Sequence, residues 1–152
     1  MTPTVKRAFQ FHPTDILAFI IAAIIFGPLI WWVTDRTPPV ILEGYELSPS
    51  SVAPGETIYR VIKVNRLRLC ETDPDTVLID GAKVRWHFEE PPILSPGPLG
   101  RDSYKRPVVI PLQANPGPAE IRTSANYTCN ALHKYWPIKI VGKPLEFQII
   151  AK

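Results

Sequence analysis

The chain has 152 residues, 45% of them hydrophobic, and a formal charge of +3 from 17 Lys and Arg against 14 Asp and Glu. That length holds one domain with an appendage and excludes a multidomain machine, and so small a charge of mixed sign excludes a dedicated nucleic-acid binder. Its 18 prolines, about 12% where about 5% is usual, exclude a mainly helical body, because proline lacks a backbone donor and breaks helices.

In chain order, residues 1–15 form a short tail carrying Lys6 and Arg7. Residues 16–33 then read ILAFIIAAIIFGPLIWWV without a charge, which as a helix covers roughly 27 Å, close to the hydrocarbon thickness of a bilayer. The run is apolar all round, unlike the striped helix of a small soluble domain, and it ends without the small-residue site of a cleaved signal. An uncleaved transmembrane helix is therefore expected, with Trp31 and Trp32 at the membrane interface and Gly27-Pro28 as a tolerated kink. Lys6 and Arg7, with no acidic residue before Asp15, place the N-terminus in the cytoplasm and everything from about Asp35 in a periplasmic or extracellular space. Cys70 and Cys129 both fall on that oxidising side, so one disulfide is expected.

Residues 34–41, with Pro38-Pro39, read as a stalk. Beyond it, in 42–152, turn signals recur at Ser48-Pro49-Ser50, Pro54-Gly55, Asp80-Gly81, Pro91 to Gly100, Pro116-Gly117-Pro118 and Gly142-Lys143-Pro144. Runs rich in Val, Ile, Tyr and Phe separate them, the signature of an all-β sandwich or barrel. Val84, Trp86 and Phe88 alternate with polar and charged neighbours, as do Leu145, Phe147 and Ile149; Ile121, Thr123, Ala125, Tyr127 and Cys129 share a third face. Further strands are predicted over 39–47, 57–67, 106–113 and 136–141, about seven in all, while Asp73, Asp75 and Asp80 read as a solvated acidic loop. If Cys70 faced the core from a regular strand, Arg66 and Arg68 would face it too, at prohibitive cost unless paired. Either a bulge resets the register or Cys70 lies at the strand's end and staples a rim; the second is preferred.

The order Cys70, Trp86, Tyr127-Thr128-Cys129, together with the Pro-Gly turns before strands, resembles the bacterial and phage surface proteins that carry one N-terminal anchor and an immunoglobulin-like or fibronectin type III-like domain. The resemblance covers residues 40 to 152. It implies a mainly β protein, a transmembrane helix followed by an immunoglobulin-like antiparallel β-sandwich, with Trp86 and Tyr127 as core markers. It also implies a binding role in preference to catalysis.

Chemistry is sparse. Cys129 and His133 have the spacing of a zinc pair, but Cys70 and His87 are too far apart to complete the set. No hydrolase, metalloprotease or phosphate-loop motif occurs, and no nucleophile, base and orienting acid can be assembled from His12, His87 and His133. No catalytic residue, metal or cofactor is expected, and no small-molecule ligand. A basic cluster of Lys63, Arg66, Arg68, Lys83 and Arg85 would gather on one face if its two strands paired. The expectation is a non-enzymatic membrane-anchored protein that offers its sandwich to another membrane or surface protein, as an accessory subunit of a membrane complex. The alternative is a structural component of a virion or envelope assembly. Candidate contacts are the loop from Pro91 to Gly100 with Tyr104, and the cluster His133, Tyr135 and Trp136.

Overall fold

A computed structural model describes residues 12–94 and 97–151; residues 1–11 of the tail, with Lys6 and Arg7, and Ser95 and Pro96 of the predicted contact loop lie outside the described residues. The chain divides between Arg36 and Thr37 into two compact units.

The first holds helix α1, Pro13–Thr34, of 22 residues. Proline is suited to its first position, where no N–H partner is needed, and the Asp15 carboxylate accepts the His12 N–H at 3.1 Å beside the positive end of the helix dipole. At the other end the Thr34 hydroxyl donates to the Ile30 carbonyl at 2.9 Å. None of its residues is buried, and by length and composition it can cross a membrane. It begins three residues before the predicted span and ends one after it, so 35–39 links it to the first strand.

The second unit is mainly β. Its strands are β1 (Val40–Ser48), β2 (Ser51–Val52), β3 (Thr57–Arg66), β4 (Glu71–Ile79), β5 (Arg85–Glu89), β6 (Gly100–Val109), β7 (Gly117–Thr128), β8 (Ile138–Val141) and β9 (Leu145–Ile149). A three-stranded antiparallel sheet runs β1-β3-β6 and a six-stranded mixed sheet runs β2-β9-β7-β4-β5, with β8 also on β7. One apolar cluster takes Ile58 and Val108 from the first sheet and Leu78, Ile121, Phe147 and Ile149 from the second, so both sheets close over one core. A second cluster joins Val40, Ile62 and Val64 to Cys70, Tyr127 and Ile138.

Local chemistry explains the edges. Pro107 is tolerated because β6 is an edge strand, where a missing N–H costs no ladder bond. A bulge between Leu42 and Gly44 inserts Glu43 and shifts the alternation of β1, so that Val40 and Leu42 face inward before it and Tyr45 and Leu47 after it. Without that extra residue Tyr45 would point to solvent.

Several expectations need correction. The stretch read as an acidic loop is β4, lying between β7 and β5; Thr72, Pro74, Thr76 and Leu78 form its inner face and Asp73 and Asp75 its outer face. Asp80 alone of the three acids is fully buried. The strand expected over 106–113 runs from Gly100 to Val109, because β6 pairs along the whole of β3 and Pro111 cannot extend the ladder. Trp86 is half-buried and packs on the apolar cluster, whereas the bridge and Tyr127 belong to the other one. Cys70 and Cys129 are joined, and they flank the register pair Glu71↔Thr128 of adjacent strands. The bridge therefore staples neighbouring strand ends within one sheet, as a rim position requires.

Candidate functional site

Every second residue of β3 from Ile58 to Arg66 is buried, which places two arginines in the interior among Ile58, Ile62 and Val64. Arg60 is 2% exposed; its Nη1 donates to the hydroxyls of Thr76 (2.8 Å) and Thr123 (2.9 Å), and its Nη2 donates to Glu90 (2.8 Å). The Thr76 hydroxyl also donates to Glu90, at 2.7 Å. Burial disfavours the Glu90 carboxylate, but the Thr76 hydroxyl and the Arg60 charge outweigh it and hold Glu90 below the usual carboxylate range. Arg60 Nε has no hydrogen-bond partner among the described residues.

Arg66 is nearly as buried and pairs with Asp102 on β6, and this hydrogen bond lowers the Asp102 pKa. Tyr104 follows on the same inward face, with the Arg66 and Arg106 guanidinium groups 5.6 and 5.7 Å from its ring centre. Burial, then the neighbouring Tyr104, pushes the Tyr45 and Tyr127 hydroxyls up to about 12, so both remain neutral donors at any physiological pH. Tyr104 is shifted in the same direction, chiefly by burial.

These groups line a gap between the sheets. A pocket of about 340 Å³ has Val40, Val64, Ile93 and Tyr127 as apolar walls, with Arg66, Asp102 and Arg106 among its polar groups. A narrower cleft of about 50 Å³ adjoins it, reaching Tyr45, Arg60 and Glu90. The gap has a cause in β4. Thr72 exchanges hydrogen bonds with Ile93 (3.0 and 2.7 Å) and Asp80 N–H donates to Val84, so Pro74 falls in the series that turns its peptide groups toward β5. It has no N–H to offer. Pairing with β5 accordingly stops at Asp75, and Glu90 and the residues after it leave the ladder to meet Arg60 and then Thr72.

The sequence-predicted contacts separate into two places. Tyr104 lies inside, at the pocket; Tyr135 and Trp136 are 89% and 59% exposed. His133 is 2% exposed, which removes it from any surface patch; its Nδ1 accepts the Cys129 N–H at 3.2 Å, within a 3-10 turn that Asn130 caps. The two cysteine sulfurs are bonded to each other, so they are not thiolate ligands for zinc. The proposed basic cluster does not assemble: Lys63 and Arg66 lie on opposite faces of β3, Lys63 paired with Glu46, while Lys83 and Arg85 belong to the turn and strand of the other sheet. Trp31 and Trp32 lie in the last turn of α1, both exposed.

Tyr135 and Trp136 sit at one pole of the β unit, where β1 begins, β3 ends, and the bridge joins the start of β4 to the end of β7. Leu67 and Leu69, 47% and 60% exposed, occupy the same pole. At the other pole the Asp80 carboxylate accepts from the backbone N–H groups of Ala82, Val84 and Asn115, the Asn115 side chain and the Trp86 indole, at 2.9–3.3 Å. Burial opposes its ionisation, yet these donors prevail and hold it at about 2. This is a structural staple of the β4–β5 turn.

The sequence reading missed Arg60, Glu90, Asp102 and Arg106. Arg60 did leave a signal: it occupies an inward position of the series Ile58, Ile62, Val64.

No protein-family model matches the chain, and no curated protein matches it in sequence. Similar solved structures exist. The alkylpurine DNA glycosylase AlkC of Pseudomonas fluorescens, bound to DNA containing an abasic site analog, shares 12% identity over 93% of this chain at a TM-score of 0.51; the chain spans 41% of the glycosylase's length. A Niemann-Pick type C2 protein from Japanese carpenter ant shares 13% identity over 76% of this chain and 94% of its own, at 0.45. The sporulation control protein Spo0M of Bacillus subtilis shares 12% over 76% and 50%, at 0.41. At these identities the likeness is one of fold alone.

Proposed function

We propose that this chain is a non-enzymatic, single-pass membrane protein with a cytoplasmic N-terminus, which presents an immunoglobulin-like β-sandwich in the periplasmic or extracellular space as a docking subunit for another membrane protein. In this reading α1 spans the bilayer with Trp31 and Trp32 at its outer interface. The observation that carries it is a juxtaposition along the chain. A 22-residue apolar helix with no buried residue is followed, after residues 35–39, by the very pole of the β unit that exposes Leu67, Leu69, Tyr135 and Trp136. Exposed aromatics of this kind form interface hot spots, which in this reading a membrane protein partner covers. The stapling of that pole by Cys70–Cys129, with His133 packed beneath, pre-organises the surface and lowers the entropy cost of docking.

A photo-crosslinking residue placed in turn at Tyr135, Trp136 and Lys83, the last at the opposite pole, tests this in intact membranes. Adducts with one stoichiometric membrane protein from the first two positions, and none from Lys83, are expected. Equal labelling from all three, or none from any, overturns the docking surface. Adducts consisting solely of a second copy of the chain favour the assembly component instead.

A further inference from the structure

The gap between the sheets holds more positive than negative charge. Arg60, Arg66 and Arg106 line the pocket and its adjoining cleft, against Glu90 and Asp102. Arg60 is engaged by Glu90 and two threonines, and Arg66 by Asp102. Arg106 makes no hydrogen bond or ion pair among the described residues; its guanidinium lies at the Tyr104 ring, and its charge acts on Glu90 without direct contact. A half-buried guanidinium cannot relieve this by losing its proton, since arginine stays charged throughout the accessible pH range. Arg66, for its part, uses only Nη1 in side-chain hydrogen bonding among the described residues, which leaves further donors on its guanidinium. Two planar donor forks thus flank one tyrosine ring at the wall of a cavity whose volume lies at the lower end of ligand pockets, about 300–1,000 Å³.

We infer that this pocket binds a small organic oxyanion, a carboxylate or phosphate carrying a short apolar body, with Arg106 as its principal ligand and Arg66 as the second donor. Arginine forks match the oxygen spacing of both head groups, and charge-assisted bonds to them are roughly twice as strong as neutral ones. Asp102 fixes the Arg66 plane, while Val40, Val64 and Ile93 offer the apolar body a dry wall. This goes against the sequence-based expectation that no small ligand is bound, because nothing in the sequence spacing brings Arg66 and Arg106 to one cavity. It is independent of the membrane reading.

The test uses the full chain in nonionic detergent, titrated at constant ionic strength with acetate, hexanoate or inorganic phosphate and followed by amide chemical shifts. Saturable shifts confined to Thr72, Gly97, Tyr104 and their neighbours are expected, with hexanoate binding at least about tenfold more tightly than acetate if the head is a carboxylate. Tighter binding of phosphate than of either acid assigns the head as phosphate and supports the site equally. Arg106→Gln should weaken binding at least about tenfold with the rest of the spectrum unchanged, and Arg122→Gln, on the exposed face, should leave it intact. Absence of saturable shifts with all three probes overturns the inference. So does unaltered binding in Arg106→Gln, or equal loss in Arg122→Gln.

Discussion

The helix and the β unit invert the usual distribution of residues in opposite senses. Around α1 the large apolar side chains, Phe19, Ile24, Phe26 and Trp31 among them, are all exposed and none is buried. Inside the β unit, where apolar groups are expected, two guanidinium groups are 2% and 7% exposed. By length and composition the helix can cross a membrane, and in the reading proposed above an apolar medium outside the chain accounts for its exposed surface. Buried arginines are stable only if their neighbours compensate them, so the explanation lies inside the chain. A hydrophobicity profile detects the first inversion at once and is blind to the second.

Removing the internal compensation should give the largest effect. Glu90→Ala leaves Arg60 buried opposite no carboxylate and is expected to cost about 3–5 kcal/mol in denaturant unfolding, whereas Arg60→Met combined with Glu90→Gln should recover most of that loss. A double variant no more stable than Glu90→Ala would show that the pair does not compensate itself. Next comes the bridge. Reduction, or alanine at both cysteines, frees a loop of 59 residues and should cost about 4 kcal/mol in the chain-entropy model, read as a lower midpoint in the same denaturant series.

A third effect belongs to Asp80, a buried anion compensated by dipoles instead of a cation. Asp80→Ala removes the acceptor of five donors and should cost about 3 kcal/mol. Because its pKa is lowered on folding to about 2, its contribution is complete above the unfolded value near 4 and disappears as the pH falls from there toward 2. An acid titration of stability should lose that component in the variant. The smallest change is Trp86→Phe, which removes the indole bond to Asp80 at 3.3 Å together with part of a half-buried ring, and should cost about 1–2 kcal/mol by thermal melting. A much larger loss would place Trp86 deeper in the core than its half-buried setting.

What the sequence made legible, and what it hid, divides along the same line. Period-2 alternation found β9 from Leu145 to Ile149, the Trp86 and Phe88 face of β5 and the inner face of β7, because there the inward residues are mostly apolar, Thr123 excepted. It failed on β4, whose inner face is Thr72, Pro74, Thr76 and Leu78: the threonines are buried because they serve Arg60, Glu90 and the bridge end, a reason that lies on other strands. It failed on Arg60 for the same reason, since pairing with Glu90 spans 30 positions. Nor could any pattern announce the bulge at Glu43 that turns Tyr45 inward. Non-local polar pairing leaves no periodic trace, and the pocket is built from it.

In the proposed reading, lipid accounts for the external half of the comparison. A site-specific protease sequence inserted between Arg36 and Thr37, cut by enzyme added to sealed right-side-out membranes, measures it directly. Release of the β unit into the medium, with the helix retained in the membrane pellet until detergent is added, is the predicted result. A β unit that is cut only after the membranes are ruptured, or a chain recovered in the supernatant before any cleavage, would contradict the account.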